Sequence, residues 1–296
     1  MAEPADALLE KCSFPPKGSS VSLAVSGGPD SLAMLLLALE AGLEVAVHHV
    51  DHHARANSTK DAEHVREICR QLEVPFTLHD VDVAPGGNFE DRARLARRRL
   101  MPRDVLTGHT MDDVVETMLL NMMRGSARTG LSPMIDSETK PLIRVQRAEL
   151  HQWLYNQPFK PVLDETNNDL TFRRNQVRQE LMPMLRSIAR RDIVPVMFRQ
   201  AELMYEEERW LRSLTREDEQ LTLAQADCRE LRRWPTARLR RWLRHALRDR
   251  TDEMNNHPPT ADEVERAMEV VRGTVKACEL SGGRRLSRSE QRLTLS

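Results

Sequence analysis

The order of apolar and polar positions in the first third of the chain predicts alternating strands and helices. Between Val21 and Leu106, short apolar runs are each followed by a longer segment in which apolar residues recur at helical spacing. The runs are VSLAV, LEVAVHHV, PFTLHDV and DVLTG, and the helices after them are predicted to start at Asp30, about Ser58, Asn88 and about Met111. Strands that alternate with such helices form βαβ units, so the pattern predicts an α/β fold with a doubly wound parallel sheet.

After Pro133 the pattern becomes irregular and mostly helical. We predict a short helix around Arg147 to Tyr155, a helical stretch from Thr171, and a helix over about Ala261 to Arg272 before a short β-like ending. A linker is expected near residues 190–215. The predicted division is an N-terminal extension (1–19), an α/β domain (20–200) and a smaller, mainly helical C-terminal domain (201–296).

The composition is that of a globular chain. Hydrophobic residues make up 40% and charged residues 30% of the 296 positions, which excludes collagen-like, low-complexity and mainly disordered classes. The apolar run Leu32 to Leu39 is about half as long as a bilayer span requires. The first twenty residues carry Glu3, Asp6 and Glu10, where a signal peptide has basic residues. We therefore expect no membrane association and a cytoplasmic location.

Charge is distributed unevenly, although the net charge is only -1. Residues 92–103 contain six arginines and no acid, and residues 229–250 contain nine arginines and two acids. Local basic faces can attract a polyanion even when the whole molecule is nearly neutral. Ordinary solvated faces are the alternative. At 4% aromatic content, base-stacking platforms cannot be the main means of binding a nucleic acid.

The loop after the first predicted strand carries the clearest chemistry. Its sequence is Ser26-Gly27-Gly28-Pro29-Asp30-Ser31, and an apolar helix follows it. The glycines let backbone N–H groups approach a ligand, and the helix adds its positive N-terminal end, so the combination suits phosphate. The two serines add hydroxyl donors, while Asp30 can cap the helix or face a cation such as Mg²⁺.

Two comparisons narrow the interpretation of this loop. The loop lacks the lysine of a Walker A motif, which weakens an assignment as a kinase or GTPase. The tripeptide Ser281-Gly282-Gly283 repeats the first three residues of the loop without a helix after it, and we predict a plain turn there.

Histidines cluster at the end of the second predicted strand, in His48-His49-Val50-Asp51-His52-His53. Strand alternation places His48 and His52 on one face and the other two histidines with Asp51 on the opposite face. Zinc binding is one interpretation, but the sequence has no HExxH or CxxC motif. A wall of a nucleotide or substrate site suits the carboxyl end of a parallel strand better.

Acidic residues follow the fourth predicted strand, in Gly108-His109-Thr110-Met111-Asp112-Asp113-Val114-Val115-Glu116-Thr117. A helix starting here would present one histidine and three carboxylates near the sheet. Two adjacent acids are also ordinary complements of a helix dipole. Because ligands of doubly wound sheets lie beyond the carboxyl ends of the strands, we expect this segment and the loop at Ser26 to lie at the same end of the sheet.

Taken in order, these motifs resemble those of the tRNA(Ile)-lysidine synthase family, within the PP-loop ATP pyrophosphatases. The loop SGGPDS resembles their pyrophosphate loop, and the segment from Val50 resembles their V-D/N-H-H-x-R. The segment Asn88 to Arg94 resembles N-x-E-x-x-A-R, and the acidic segment resembles G-H-x-x-D-D-x-x-E-T. Weaker matches at RGSARTGL, PLI, DETN and RNQVR extend the resemblance over about residues 20–190.

The resemblance implies a reaction that joins free L-lysine to C2 of the wobble cytidine in a tRNA(Ile) with a CAU anticodon, which changes decoding from AUG to AUA. ATP with Mg²⁺ would first adenylate the cytidine O2 and release pyrophosphate, and the lysine ε-amine would then attack C2 and displace AMP. The implied ATP-binding residues are Ser26, Gly27, Gly28, Pro29, Asp30, Ser31 and His52, with Asp30 also facing Mg²⁺.

Roles for the two other substrates follow in the same way. The amine must be held and deprotonated, for which Asp30, Asp113 and His109 are the candidates. Arg94 is the candidate partner of the lysine α-carboxylate. Phosphates of the tRNA are expected to contact Arg173, Arg174, Arg178 and the arginines of residues 229–250.

Other functions stay open at this level. A PP-loop tRNA thiolase would use paired cysteines or a cluster, whereas Cys12, Cys69, Cys228 and Cys278 lie far apart in the sequence. A ligase acting on a small molecule would leave the arginine-rich second half unexplained. An RNA-binding module with a vestigial loop would not need the acids that this chain retains. The sequence does not decide between a monomer and a homodimer.

Overall fold

The computed structural model describes residues 5–51, 58–80, 100–126, 128–162, 169–248 and 259–296. The chain forms two compact units, Met1–Glu206 and Glu207–Ser296. The boundary between them falls within residues 190–215, where a linker is predicted, and Val194–Leu214 is a continuous helix there. The buried residues Val194, Phe198 and Ala201 recur along it at helical spacing.

The first unit contains the predicted parallel sheet, with strand order β3-β2-β1-β4. The strands are β1 (Ser20–Ala24), β2 (Glu44–Asp51), β3 (Phe76–Asp80) and β4 (Leu106–Thr107). In the register, Leu23 of β1 pairs with Val47 on one side and Leu106 on the other. The strand order changes direction at β1, so the carboxyl ends of β1 and β4 flank the position where doubly wound sheets bind ligands.

The helices up to residue 214 are α1 (Ala5–Leu9), α2 (Pro29–Glu40), α3 (Ser58–Gln71), α4 (Met111–Met123), α5 (Arg128–Leu131), α6 (Arg147–Tyr155), α7 (Arg173–Gln176), α8 (Met182–Ala189) and α9 (Val194–Leu214). The starts of α2, α3, α4 and α6 lie within one residue of the predicted positions, whereas α1 and α5 have no predicted counterpart. A π-helical turn, Val177–Leu181, joins α7 to α8. The helix predicted from Asn88 lies outside the described residues.

Two apolar clusters fix the position of the helices that matter for the site. Helix α2 is buried along residues 31–38 and contacts both β2 and α6. Helix α4 instead packs Val114, Val115 and Met118 against Val177 and Phe198. The acidic first turn of α4 is thereby held next to the end of β4 while its apolar face is covered.

The second unit has its own core. It comprises α10 (Cys228–Leu231), α11 (Thr236–Ala246), α12 (Ala261–Arg272) and an antiparallel sheet of β5 (Ala277–Glu279), β6 (Arg285–Ser289) and β7 (Arg292–Leu295). Short 3-10 turns lie at Asp218–Gln220 and Ser281–Gly283. The second of these leads into β6 without an α-helix, which confirms the predicted turn. Within the described ranges, no helix has the length and apolar character needed to cross a bilayer.

Candidate active site

The loop between β1 and α2 requires glycine at its second position. Gly27 has a φ of +88°, and a Cβ there would lie 3.0 Å from the Cγ2 atoms of both Val65 and Val162. The Gly27 carbonyl accepts a hydrogen bond of 2.8 Å from the Val162 N–H. The segment at Val162 therefore packs directly on the loop. Gly27 itself has a backbone conformation that other residues rarely adopt.

The two serines of the loop hold its shape. The Ser31 hydroxyl donates to the Gly28 carbonyl at 3.0 Å and accepts from the Ser26 N–H at 3.2 Å. The two hydroxyl oxygens are themselves 3.2 Å apart. These bonds fold residues 26–31 around the N-terminal end of α2, which starts at Pro29. Their role in binding phosphate stays a prediction.

The loop after β4 lies against the loop after β1. A Cβ on Gly108 would be 2.9 Å from the Asp30 carbonyl oxygen and 3.0 Å from the Ser31 backbone nitrogen. Only glycine allows two backbones to approach this closely. The predicted proximity of the two segments is therefore present, and His109 and the start of α4 follow directly.

The two adjacent acids at the start of α4 have different tasks. Asp112 accepts a hydrogen bond of 2.8 Å from the backbone N–H of Arg147, which ties α4 to α6. One oxygen of Asp113 accepts from the backbone N–H and the hydroxyl of Thr110, at 2.7 and 2.9 Å, and so stabilises the helix start. Its other oxygen faces Arg147 and Arg174, each at 2.8 Å.

Glu116, one turn further on, completes a buried cluster of charges. Its carboxylate accepts hydrogen bonds from Arg147 at 2.7 Å and from Arg174 at 3.1 Å. It also accepts two from Arg178, at 2.8 and 3.0 Å, in the two-pronged geometry that guanidinium favours. The Glu116 side chain is only 2% exposed. We call Asp113, Glu116, Arg147, Arg174 and Arg178 the charge cluster.

Arg147 connects this cluster to the loop after β1. Its Nε lies 3.3 Å from Oδ2 of Asp30, while its two terminal nitrogens contact Asp113 and Glu116. The other Asp30 oxygen lies 2.6 Å from Nε2 of His151. One guanidinium thus spans the distance between the predicted phosphate loop and the two carboxylates of α4.

The ion pairs of the charge cluster keep its two carboxyl groups ionised. Burial raises the pKa of Asp113, but Arg147 and Arg174 outweigh it and hold that pKa at about 2, below the usual 3.8. Burial also opposes ionisation of Glu116, yet Arg178 and Arg147 keep its pKa below the usual value. Asp112 differs, since burial raises its pKa. Asp113 and Glu116 are therefore charged at neutral pH.

Several predicted site residues have defined positions, and two do not. The loop contains all six predicted residues from Ser26 to Ser31, and His109 and Asp113 lie beside it. The Nδ1 atom of His109 is 2.9 Å from the Thr107 hydroxyl. His52 and Arg94 lie outside the described residues.

The structure adds three residues that the sequence did not single out, Glu116, Arg147 and His151. Glu116 was visible as one of three carboxylates at helical spacing, but nothing ranked it above its neighbours. Arg147 and His151 belong to α6, and no local pattern signals that this helix contacts Asp30.

The arginines predicted to hold tRNA fall into two groups. Arg174 and Arg178 point to Asp113 and Glu116, whereas Arg173 is exposed. The described part of the run at 229–250 lies on α10 and α11 and beside them, and much of its charge is paired. Its carboxylate-bound members are Arg229, Arg233, Arg238, Arg240 and Arg241. Their contact with RNA stays a prediction.

The histidines of β2 have structural partners. Nδ1 of His49 donates to the Val25 carbonyl at 2.8 Å, and burial lowers the pKa of this side chain. His48 stacks on His79, with 2.9 Å between their nearest ring nitrogens. Among the described residues, no three His, Cys, Asp or Glu side chains are grouped as a metal site.

Comparison with known proteins agrees with this geometry. The family of the PP-loop domain matches residues 1–185. The tRNA(Ile)-lysidine synthase of Gloeobacter violaceus is 36% identical, with 67% of each chain covered. That of a Synechococcus strain is 33% identical over 93% of this chain and 89% of its own. The chain spans about half the length of several other curated relatives with the same name.

Among solved structures, the U34-tRNA thiolase NcsA from Methanococcus maripaludis is similar in fold. Its TM-score is 0.55 at 16% sequence identity, with 68% of this chain and 78% of that chain covered. The parallel sheet, the loop at Ser26 and the matched domain define a PP-loop protein. Within that class, the chain belongs to the tRNA(Ile)-lysidine synthase family, a family of ATP-dependent tRNA-modifying enzymes.

Proposed function

We propose that this protein ligates L-lysine to C2 of the wobble cytidine of a tRNA(Ile) with a CAU anticodon, through an adenylated cytidine. The observation that carries the proposal is the contact of Arg147 with Asp30 on one side and with Asp113 and Glu116 on the other. The loop proposed to bind phosphate and the carboxylate pair proposed to bind an ammonium group are therefore both in contact with the Arg147 side chain.

The loop end of the site would hold the triphosphate. Residues 26–31 surround the N-terminal end of α2, where backbone N–H groups and the helix dipole favour an anion. The two serine hydroxyls can rotate toward an incoming phosphate, because the bonds they now make are internal to the loop.

The residues present fit a Mg²⁺ ion that arrives with the nucleotide. Asp30 offers one partly exposed carboxylate beside the loop. Magnesium commonly takes one or two protein carboxylates and fills its remaining positions with phosphate oxygens and water. When bound, the ion would neutralise charge on the phosphates.

The carboxylate end would hold the lysine side chain. Asp113 and Glu116 are ionised and buried, and a buried carboxylate pair attracts an ammonium group strongly. Without substrate, their charge is balanced by Arg147, Arg174 and Arg178. Arg174 and Arg178 are partly exposed, so they can turn away and leave their place to the lysine ammonium.

A carboxyl group with a pKa of about 2 is a poor proton acceptor, so Asp113 is suited to binding the amine rather than deprotonating it. We assign deprotonation to His109, because it directly precedes Thr110, whose N–H and hydroxyl bond to Asp113. Imidazole is the side chain that exchanges protons most readily near neutral pH. Arg94 keeps its proposed role as partner of the lysine α-carboxylate.

The thiols give no support to sulfur transfer. Burial raises the pKa of Cys12 to about 12 and that of Cys69 to about 11. Burial likewise raises the pKa of Cys228 and Cys278. A thiolase needs a reactive thiolate or a bound cluster, and thiols of raised pKa supply neither.

The direct test is transfer of radiolabelled lysine to a CAU-anticodon tRNA(Ile) transcript in the presence of ATP and Mg²⁺. We expect label in the RNA together with AMP and pyrophosphate in equal amounts. A transcript with the wobble cytidine replaced by uridine is the control and should remain unlabelled. Equal incorporation of arginine would contradict the choice of lysine, and no incorporation would contradict the whole proposal.

Gly27→Ala should lower ATP affinity about tenfold or more. The added Cβ meets two valine side chains at 3.0 Å and sits at a φ of +88°, which costs about 1–2 kcal/mol by itself. Gly18→Ala is the matched control, because Gly18 has a φ of +82° but open space around it. Calorimetric titration with ATP should show normal affinity for this control; equal losses in both variants would contradict a role of the loop in binding ATP.

A further inference from the structure

A cavity of about 420 Å³ lies next to the charge cluster, and of its lining residues only Arg173 has a role described so far. It is formed by the end of α4 and by the helical segment from Arg173 to Met184. Its size falls within the range of about 300–1,000 Å³ that is typical of small-ligand sites. The cavity therefore has room for a ligand group of its own.

The position of the cavity links it to the proposed reaction centre. Leu120, on its wall, is four residues beyond Glu116 in the same helix, a rise of about 6 Å. Gln176 and Val177 line it as well, and they lie between Arg174 and Arg178 in the sequence. Whatever occupies the cavity is thus a near neighbour of whatever occupies the carboxylate pair.

The walls of the cavity suit a flat, apolar ring. They are formed by Leu120, Met123, Val177, Leu181 and Met184. Met123 and Met184 are 62% and 60% exposed, so both remain accessible to a ligand in the cavity. Thioether groups make favourable contacts with aromatic rings and adapt to their shape.

The rim of the cavity carries the charge that a nucleotide requires. Arg124 and Arg173 line it, and neither guanidinium has an ion pair or hydrogen bond among the residues that the structure describes. They differ in this from Arg174 and Arg178, which are bound to carboxylates. Gln176 and Glu180 add an amide and a carboxylate that can bond to the edge of a base.

We infer that this cavity receives an unstacked nucleobase of the RNA substrate, one that flanks the cytidine to be modified. Arg124 and Arg173 bind the phosphates on either side of it. Proteins that recognise RNA loops commonly splay bases apart and bind them individually. The inference rests on the proposed function, because it assumes that an RNA loop lies at the carboxylate pair.

Fluorescence of an anticodon stem–loop tests the inference. The nucleotides on the two sides of the wobble cytidine are replaced, one at a time, by 2-aminopurine, whose emission rises when it leaves a stack. Binding to the unmodified protein should raise the emission at one of the two positions. Met123→Glu should abolish this rise and weaken hairpin binding at least tenfold.

Met122→Glu is the matched control. Met122 is the preceding residue, is 50% exposed and does not line the cavity. It should bind the hairpin within twofold of the unmodified protein and keep the rise in emission. Arg173→Gln should weaken binding and flatten its dependence on salt.

Two results would overturn the inference while leaving the function in place. In one, lysine transfer proceeds but both glutamate variants bind the hairpin equally and no position brightens. In the other, sedimentation shows a dimer that only Met123→Glu dissociates, which would make the cavity part of an interface between copies. Failure of the unmodified protein to label its tRNA would instead contradict the proposed function as well.

Discussion

Asp113→Asn is expected to reduce lysine transfer to the CAU transcript by about 100-fold or more, because removing one partner of a buried charge pair costs about 2–5 kcal/mol. Asparagine keeps an oxygen for the Thr110 N–H and hydroxyl, so the start of α4 should survive. The lower rate of transfer should therefore come from weaker binding of the lysine ammonium. Initial rates over a range of lysine concentrations should show a raised KM for lysine with little change in the KM for ATP.

Asp218→Asn is the control for this variant. Asp218 is also buried and forms two hydrogen bonds with a guanidinium, that of Arg238, at 2.7 and 2.9 Å. It belongs to the second unit and has no proposed part in the chemistry. We expect it to lose stability but to retain transfer within a few-fold. Near-normal transfer by Asp113→Asn would show that the carboxylate pair does not bind the amine.

Arg147→Met is expected to lower the free energy of unfolding at pH 7 by about 3–5 kcal/mol, which is typical when a buried charge loses its partner. The Arg147 side chain is 14% exposed and contacts three carboxylates. Without it, those carboxylates repel one another and Arg174 and Arg178 balance them incompletely. Urea unfolding gives the free energies to be compared.

The stability that Arg147→Met loses should be larger at pH 7 than at pH 4. In the unmodified protein the pKa of Asp113 is about 2 against 3.8 ordinarily, so its stabilising effect is present above about pH 4 and disappears as the pH falls toward 2. Removing Arg147 raises the pKa values of Asp113 and Glu116, and the variant regains stability as these groups bind protons. The difference between the two proteins should accordingly narrow from pH 7 to pH 4.

Arg144→Met provides the comparison for Arg147→Met. Arg144 lies three residues earlier, is about half exposed and pairs with Glu202 at the surface. Exposed pairs contribute about 0–1 kcal/mol. Should both variants lose the same stability with the same dependence on pH, the charge cluster would not have the energetic role described here.

The sequence predicted the sheet and the helices around it because their apolar spacing is regular. It also brought the loop at Ser26 and the acids of α4 to one end of the sheet, since parallel strands share that edge. The choice of Asp113 over Asp112 had no physical basis in the local sequence, because both acids are expected at a helix start. The structure separates them by what they touch: Asp112 binds the backbone of α6, and Asp113 faces the guanidiniums.

Contacts made only by tertiary packing were beyond sequence reasoning. Arg147 reaches Asp30 because α6 packs on α2, and 117 positions separate these two residues. Arg178 lies 62 positions from Glu116. The sequence suggested phosphate contacts for Arg174 and Arg178. It could not show that both bind carboxylates, because a pattern of arginines carries no information on which acids lie nearby in the fold.

The close approach of Gly108 to the backbone at Asp30 and Ser31 has a mechanical consequence. The two main chains are in close contact at this point, so the loop at Ser26 and the start of α4 are held at a fixed separation. For the proposed function, admission of the lysine ammonium would therefore require Arg174 and Arg178 to leave Asp113 and Glu116. Rotation of these two guanidiniums would open the carboxylate pair without a movement of the main chain.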